Sequence, residues 1–309
     1  MKTLLLIDGN AIMHRAFFAI PPFETKKGIP TNMIHGFFTM LQKSIADFQP
    51  THVIITFDTP KPTFRVKLLK TYQAQRPKVK DEFVVQIPYI RQLIDLAGIT
   101  RLEKDGYEAD DVIGTVANHY KKSMRVFILT GDKDILQLVD ENVFVVAPLI
   151  GISKIAVYNI EEVEKRMGVK PALIPDLKAL IGDPSDNYTG AKGIGPKTAI
   201  NLLVQFITVE NLLKRIDSID NEKIKKILKE SKKNIILSKK LATIICDVDV
   251  KIDLEKTVFN GFNSAMQPLL EELELHTVAR RLFQTQPIAI KKPEEPKKSE
   301  DSSDQIGLF

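Results

Sequence analysis

The chain has one cysteine, Cys246, and no tryptophan. A lone thiol excludes an internal disulfide framework and any cysteine-based zinc site. It suits a reducing compartment, so a cytoplasmic protein is expected. None of the five histidines stands at metal-ligand spacing from another, and His14 and His119 fall in helical patterns that read as packing. Long apolar runs are missing too, since nothing approaches the roughly 20 residues of a membrane span. The short run at 3–7 stops at Asp8 and reads as a buried strand, not a signal peptide. There is no internal repeat.

Hydrophobic residues make up 44% and charged residues 27% of the 309 positions, enough for a sizeable core and about two domains. A net charge of +5 and a pI near 9.0 favour a polyanionic partner. The charge is unevenly spread. Segment 61–80 carries Lys61, Arg65, Lys67, Lys70, Arg76, Lys78 and Lys80 with no acid, and interleaves Phe64 and Tyr72. A solvated basic helix would account for it. A mobile basic segment guiding a single strand, with aromatics for stacking, is the sharper reading.

Apolar runs ending in acids recur. Leu4-Leu5-Leu6-Ile7 leads into Asp8, Val53-Ile54-Ile55-Thr56-Phe57 into Asp58, and 125–130 into Asp132 and Asp134. Helical patterns at 9–18 and 33–48 alternate with them, which predicts a mostly parallel α/β sheet. Its working site should lie at the carboxyl ends of the strands. After about Pro171 the chain becomes helical, with long patterns at 214–240 and 266–283. The expected organisation is an α/β core over 1–170, a helical subdomain over 171–285, and a tail over 286–309. That tail is Pro-, Lys- and Glu-rich with little to bury, so disorder is expected.

Asp8, Asp58, Glu108, Asp110, Asp111, Asp132, Asp134, Asp183 and Asp186 hold motif-like positions. Glu108-Ala109-Asp110-Asp111 opens a helix, where capping and the macrodipole alone would favour acids. Gathered at one sheet edge, however, so many carboxylates raise one another's pKa. Divalent cations remove that cost, and all-oxygen ligation suits Mg²⁺ or Mn²⁺. Two ions about 4 Å apart can activate a water and stabilise the leaving oxygen of a phosphodiester. Just after Asp183 and Asp186, Gly193-Ile194-Gly195-Pro196-Lys197-Thr198 reads as a glycine turn opening a helix, whose free N–H groups attract phosphate. Metal ligands beside a phosphate grip point to a nucleic-acid enzyme.

These motifs resemble the 5′ nuclease, or flap endonuclease, family, specifically the 5′→3′ exonuclease domain of bacterial DNA polymerase I. LLIDGNA with Arg15-Ala16-Phe17-Phe18, ITFD at Asp58, YEADD, TGDKD and GDPSDN…GIGPKTA occur in family order over roughly residues 1–285. The resemblance implies a PIN-like core, a helical arch at about 61–91, and a helix–hairpin–helix-type element in the helical subdomain. It implies that the acids named above hold two Mg²⁺ or Mn²⁺ ions, with Asp8, Lys70, Tyr72 and Arg76 in the catalytic machinery. Arg15, Arg65, Lys67, Lys70, Arg76, Lys192, Gly193, Gly195, Lys197 and Thr198 become the implied DNA contacts. A K⁺ ion on backbone carbonyls is implied at 193–198. The implied substrates are DNA 5′ ends and flaps, with RNA primers among them, cleaved in replication and repair by a stand-alone monomer.

One departure bears on catalysis. The family places a lysine after the arch tyrosine, whereas Tyr72 is followed here by Gln73. Gln73 favours an alternative, a non-catalytic clamp-associated DNA-structure-binding protein; the complete acid set favours the enzyme. His14 stands where tyrosine is common, and Tyr188-Thr189 where Ile-Pro is usual, and both read as packing changes. Last, Gln305-Ile306-Gly307-Leu308-Phe309 resembles the bacterial sliding-clamp binding motif at the end of a tether. Gln305, Ile306, Leu308 and Phe309 are the expected docking residues.

Overall fold

The computed structural model describes residues 2–150 and 154–283, so the clamp-like peptide lies outside the described residues. Within these bounds the strands are β1 (Lys2–Asp8), β2 (His52–Thr56), β3 (Thr100–Leu102), β4 (Met124–Leu129), β5 (Val143–Ile150) and β6 (Lys154–Tyr158). They form one sheet in the order β3-β2-β1-β4-β5-β6. Every neighbouring pair is parallel except β5 with β6.

The apolar run at 3–7 is central because both faces of β1 are covered. Leu4 and Leu6 enter one core and Leu5 and Ile7 the other, all fully buried. A parallel strand buried on both faces reads as a continuous hydrophobic run rather than an alternating one. One face is covered by α1 (Gly9–Ala19) and α2 (Asn32–Phe48). Beyond them the short α3 (Phe64–Leu68) and α4 (Asp81–Val84) precede α5 (Ile87–Leu96), which joins the same face. The opposite face takes α6 (Ala109–Tyr120), α7 (Ile160–Met167), α8 (Ile174–Ile181), α9 (Pro196–Phe206), α10 (Val209–Lys214) and α11 (Glu222–Ala242). Finally α12 (Gln267–Glu272) and α13 (His276–Phe283) return to the first face.

This is the expected mostly parallel sheet flanked by helices. The chain adds strands on one side of β1, then on the other, so β1 and β4 flank the point where the order reverses. A crevice outside the carboxyl ends of the strands is expected there.

The helical expectations gain detail in three places. The arch expected at 61–91 is helical in pieces: α3 has five residues, residues 70–76 form turns and a bend, α4 has four residues, and α5 starts at Ile87. The pattern at 214–240 is broken: α10 ends at Lys214, a 3-10 turn spans Ile216–Ser218, and α11 starts at Glu222. The pattern at 266–283 breaks into α12 and α13, with Glu274 at φ 53°, because its apolar residues must turn a corner to reach the same core.

Candidate metal centre

Asp8 ends β1 and caps α1, its Oδ1 accepting the Ala11 N–H at 2.9 Å. Its Oδ2 accepts the Thr130 hydroxyl at 2.7 Å. Asp58, two residues past β2, accepts the Ala109 N–H at 2.7 Å and an amide hydrogen from Asn10. Glu108 caps α6, and Asp110 lies in its first turn. Asp132 and Asp134 follow β4, with the Asp134 N–H donated to Asp132 at 2.8 Å. Each acid is thus fixed by a strand end or a helix start.

A cleft of about 640 Å³ opens at this edge, lined by Asp8, Asp58, Glu108, Asp110, Asp132, Asp134 and Asp186. Crowding shows in their protonation. Burial first, then Asp132 and Asp58, push Asp8 up to about 7, although Ala11 and Thr130 pull it down. Burial raises Glu108 to about 7, with Asp111, Asp58 and Asp186 adding to it against the pull of Arg65. Asp110 is driven well above the carboxylate range by desolvation and by Asp132, Asp8, Asp58 and Glu108. Asp134 rises to about 6 through burial and Asp132, against Lys178. The carboxylates outnumber the cations Arg65, Arg76 and Lys178 that reach them.

Asp183 and Asp186 come from the loop after α8. Asp134, Asp183 and Asp186 offer one oxygen each within 4.8 Å of one another. This all-oxygen donor set, with mutually raised pKa values at the adjoining acids, fits a hard divalent cation. Asp183 itself does not open on the cleft. Burial works to raise it, but Lys178 at 2.5 Å and the Ser185 hydroxyl at 2.5 Å hold it below the usual carboxylate range.

Lys178 went unrecognised in the sequence. It lies on α8, nearly buried, and its ammonium bridges Asp134 and Asp183. Burial opposes its charge, yet those two carboxylates raise its pKa well above that of a free lysine. The only sequence signal is a lone cation in the apolar helix IPDLKALI, one turn before the Asp183 loop.

Asp111 and Arg65 require correction. Asp111 is fully buried and absent from the cleft wall. Its oxygens accept Arg65 at 2.7 and 2.9 Å, the Glu108 N–H at 3.0 Å and the Ile245 N–H at 2.9 Å. They leave no room for a metal. Arg65, expected on DNA, is 2% exposed and also donates to the carbonyls of Leu241 and Thr243. It is a structural strut.

Other expected residues are distributed as follows. Tyr72 is buried, its hydroxyl 3.1 Å from Asp186, and Arg76 reaches the same carboxylate at 2.7 Å. Gln73 lines the cleft at φ 56° and donates its backbone N–H to the Asp186 carbonyl at 3.0 Å. Lys67 and Lys70 are exposed on the basic segment. Arg15 lines the cleft and donates to the Leu149 carbonyl at 2.9 Å. His14 also lines it, stacked on Phe18 and tilted against Phe83, contacts that fit the packing role expected of it. Across the helical side, Gly195 caps α9 with Pro196 at its start. Lys192, Gly193, Gly195 and Lys197 are exposed, Thr198 is half-buried, and Ile194 is buried as the turn's anchor. Gly193 has φ 104°, a conformation open to glycine at little cost.

An acid-lined cleft at the carboxyl edge of a parallel sheet, bordered by a basic segment, has the donor set and charge expected of a nuclease. Comparison with known proteins agrees. Residues 3–168 match the family described as 5′-3′ exonuclease, N-terminal resolvase-like domain, and 169–265 match its C-terminal SAM fold. A 5′-3′ exonuclease of Aquifex aeolicus is 42% identical over 285 residues, covering 91% of this chain and 96% of the relative. DNA polymerase I of Bacillus subtilis is 40% identical over 283 residues, covering 91% of this chain but 32% of that protein. The chain therefore spans about a third of that polymerase. Among solved structures, a bacteriophage T5 flap endonuclease complex with DNA and metal ions matches with a TM-score of 0.66 at 19% identity, over 88% of this chain and 100% of the other. The catalytic core of Rad2 with DNA substrate matches with a TM-score of 0.59 at 16% identity, over 91% of each. The chain belongs to the 5′-3′ exonuclease family.

Proposed function

We propose that the protein is a divalent-metal-dependent 5′→3′ exonuclease and 5′-flap endonuclease that hydrolyses DNA phosphodiesters, removing RNA primers or flaps in replication and repair. The observation that carries this reading is the convergence of Asp8, Asp58, Glu108, Asp110, Asp132, Asp134 and Asp186 on one cleft. Two Mg²⁺ or Mn²⁺ ions held by these acids and Asp183 would supply an activated water and charge for the leaving oxygen.

The chain's own residues do the rest. Thr130 and Ala11 fix the Asp8 carboxylate. Tyr72 and Arg76 hold Asp186, and Arg76, whose side chain is 54% exposed, retains N–H groups for a phosphate oxygen. Lys70 and Lys67 present mobile charge to a single strand. Lys192, Lys197 and the α9 start hold duplex phosphates, which positions without reading sequence. A K⁺ ion on the carbonyls of 193–198 belongs to the same reading.

End-labelled 5′-flap DNA and its all-RNA counterpart, incubated with Mg²⁺ or with EDTA, test it. Mg²⁺-dependent cleavage at the DNA 5′ end or flap junction is expected; no cleavage with any divalent ion overturns it in favour of a binding protein. Docking of Gln305, Ile306, Leu308 and Phe309 on a bacterial sliding clamp is part of the proposal, as is a monomer in the cytoplasm. Deleting 305–309 should abolish clamp binding and spare cleavage of naked DNA. Among the described residues, no helix is long and apolar enough to cross a membrane.

A further inference from the structure

Tyr188 is 5% exposed, and its hydroxyl has no hydrogen-bond partner. An unpaired buried hydroxyl is unfavourable, and each such group calls for a reason. Its backbone exchanges both hydrogen bonds with Asp183, at 2.9 and 3.1 Å. Residues paired in this way send their side chains to the same face. The phenol and the Asp183 carboxylate therefore rise side by side.

Beside Asp183, Asp134 and Asp186 each bring a carboxylate oxygen, the three within 4.8 Å of one another. Their oxygens are already engaged, with Lys178 on Asp134 and Asp183, Ser185 on Asp183, and Arg76 and Tyr72 on Asp186. Tyr72 packs in the same small apolar cluster, with Leu241 and Ala242. One phenol of this pair has found a carboxylate, and the other has nothing. Packing alone explains the ring of Tyr188 but gives no use for its oxygen.

We propose that Tyr188 is a positioning residue for a divalent cation at Asp134, Asp183 and Asp186, its hydroxyl holding a hydration water of that ion. This rests on the metal-dependent reading above. Hard cations keep several waters, and partners outside the direct ligands fix their orientation. A water bound to a cation has committed a lone pair to it and acts as a donor. The phenol oxygen, otherwise without a partner, accepts from that water.

The test uses the full chain and Mn²⁺ alone, without DNA, followed by calorimetry or by the resonance of free Mn²⁺. Tyr188→Phe keeps the ring and removes the oxygen. It should weaken one Mn²⁺ site about fivefold, the worth of one ordinary hydrogen bond, and leave the other unchanged. The metal-free Tm should stay level or rise, because the orphan hydroxyl is gone. In an Asp183→Asn background the same substitution should do nothing further. A Tyr188→Phe titration that overlays the wild type, or an equal loss in the Asp183→Asn background, overturns the proposal. If the wild type itself binds no Mn²⁺, the metal-dependent reading falls as well, which separates the two failures.

Discussion

Arg65 grips both carboxylate oxygens of Asp111, at 2.7 and 2.9 Å, although 46 residues separate them. The pair is nearly sealed from water, with side chains 3% and 0% exposed. The same guanidinium donates to Leu241 and Thr243, so α3, α6 and the end of α11 meet at one ion pair.

Removing one partner of a buried pair strands the other charge, at about 3–5 kcal/mol. Arg65→Ala and Asp111→Ala should each lower stability by about that much in urea unfolding, with no loss of Mn²⁺ stoichiometry in whatever remains folded. Loss of one Mn²⁺ from folded Asp111→Ala protein would return Asp111 to the ligand set.

Metal-free protein should weaken as pH rises. Asp8 and Glu108 titrate at about 7 in the folded state and Asp134 at about 6, from 3.8, 4.5 and 3.8 respectively. Between about pH 4 and 7 the native state therefore binds more protons than the unfolded chain, so stability is present below that range and lost through it. In EDTA the Tm should fall from pH 5.5 to 7.5, and the increment given by Mg²⁺ should grow over the same interval. A metal increment that shrinks with pH would contradict this assignment.

Gln73 sits in the cleft where a charge would assist a developing oxyanion. Gln73→Lys should raise the single-turnover rate, and Arg76→Ala should lower it by roughly a hundredfold, as removal of one electrostatic donor commonly does. An unchanged or reduced rate in Gln73→Lys would show that Arg76 and Lys70 already suffice.

Lys192 and Lys197 are exposed beside the α9 start. Replacing both with alanine should weaken duplex binding irrespective of sequence and reduce the slope of log K against log salt by about 2, near 0.9 per phosphate contact. Retention of the full slope would remove them from the interface.

Much of the site was legible because the signal was local. A run such as Leu4–Ile7 followed by Asp8 carries strand, sheet edge and acid in a few residues, and GIGPKT carries its turn and helix start. Long-range facts were not. Asp110 and Asp111 look alike in sequence, but successive helical residues differ by about 100° in direction, so one borders the cleft and the other faces Arg65. Arg65 reads as one cation among many, since nothing nearby announces a partner on α6. Lys178 was hidden because its acids, Asp134 and Asp183, come from two different units. Strands β3 and β6 escaped notice for a related reason: they form the sheet's two edges, away from the doubly buried centre.

Four contacts tie residues 71–76 to the loop that holds Asp186. Gln73 donates its N–H to the Asp186 carbonyl, Asn187 donates to the Thr71 carbonyl, and Tyr72 and Arg76 hold the carboxylate itself. One carboxylate thus belongs at once to the basic segment and to the candidate metal ligands. Whatever cation draws on Asp186 loosens that segment, and whatever strand engages the segment changes the pull on Asp186. Linkage makes the two effects equal: each ligand must alter the other's dissociation constant by the same factor.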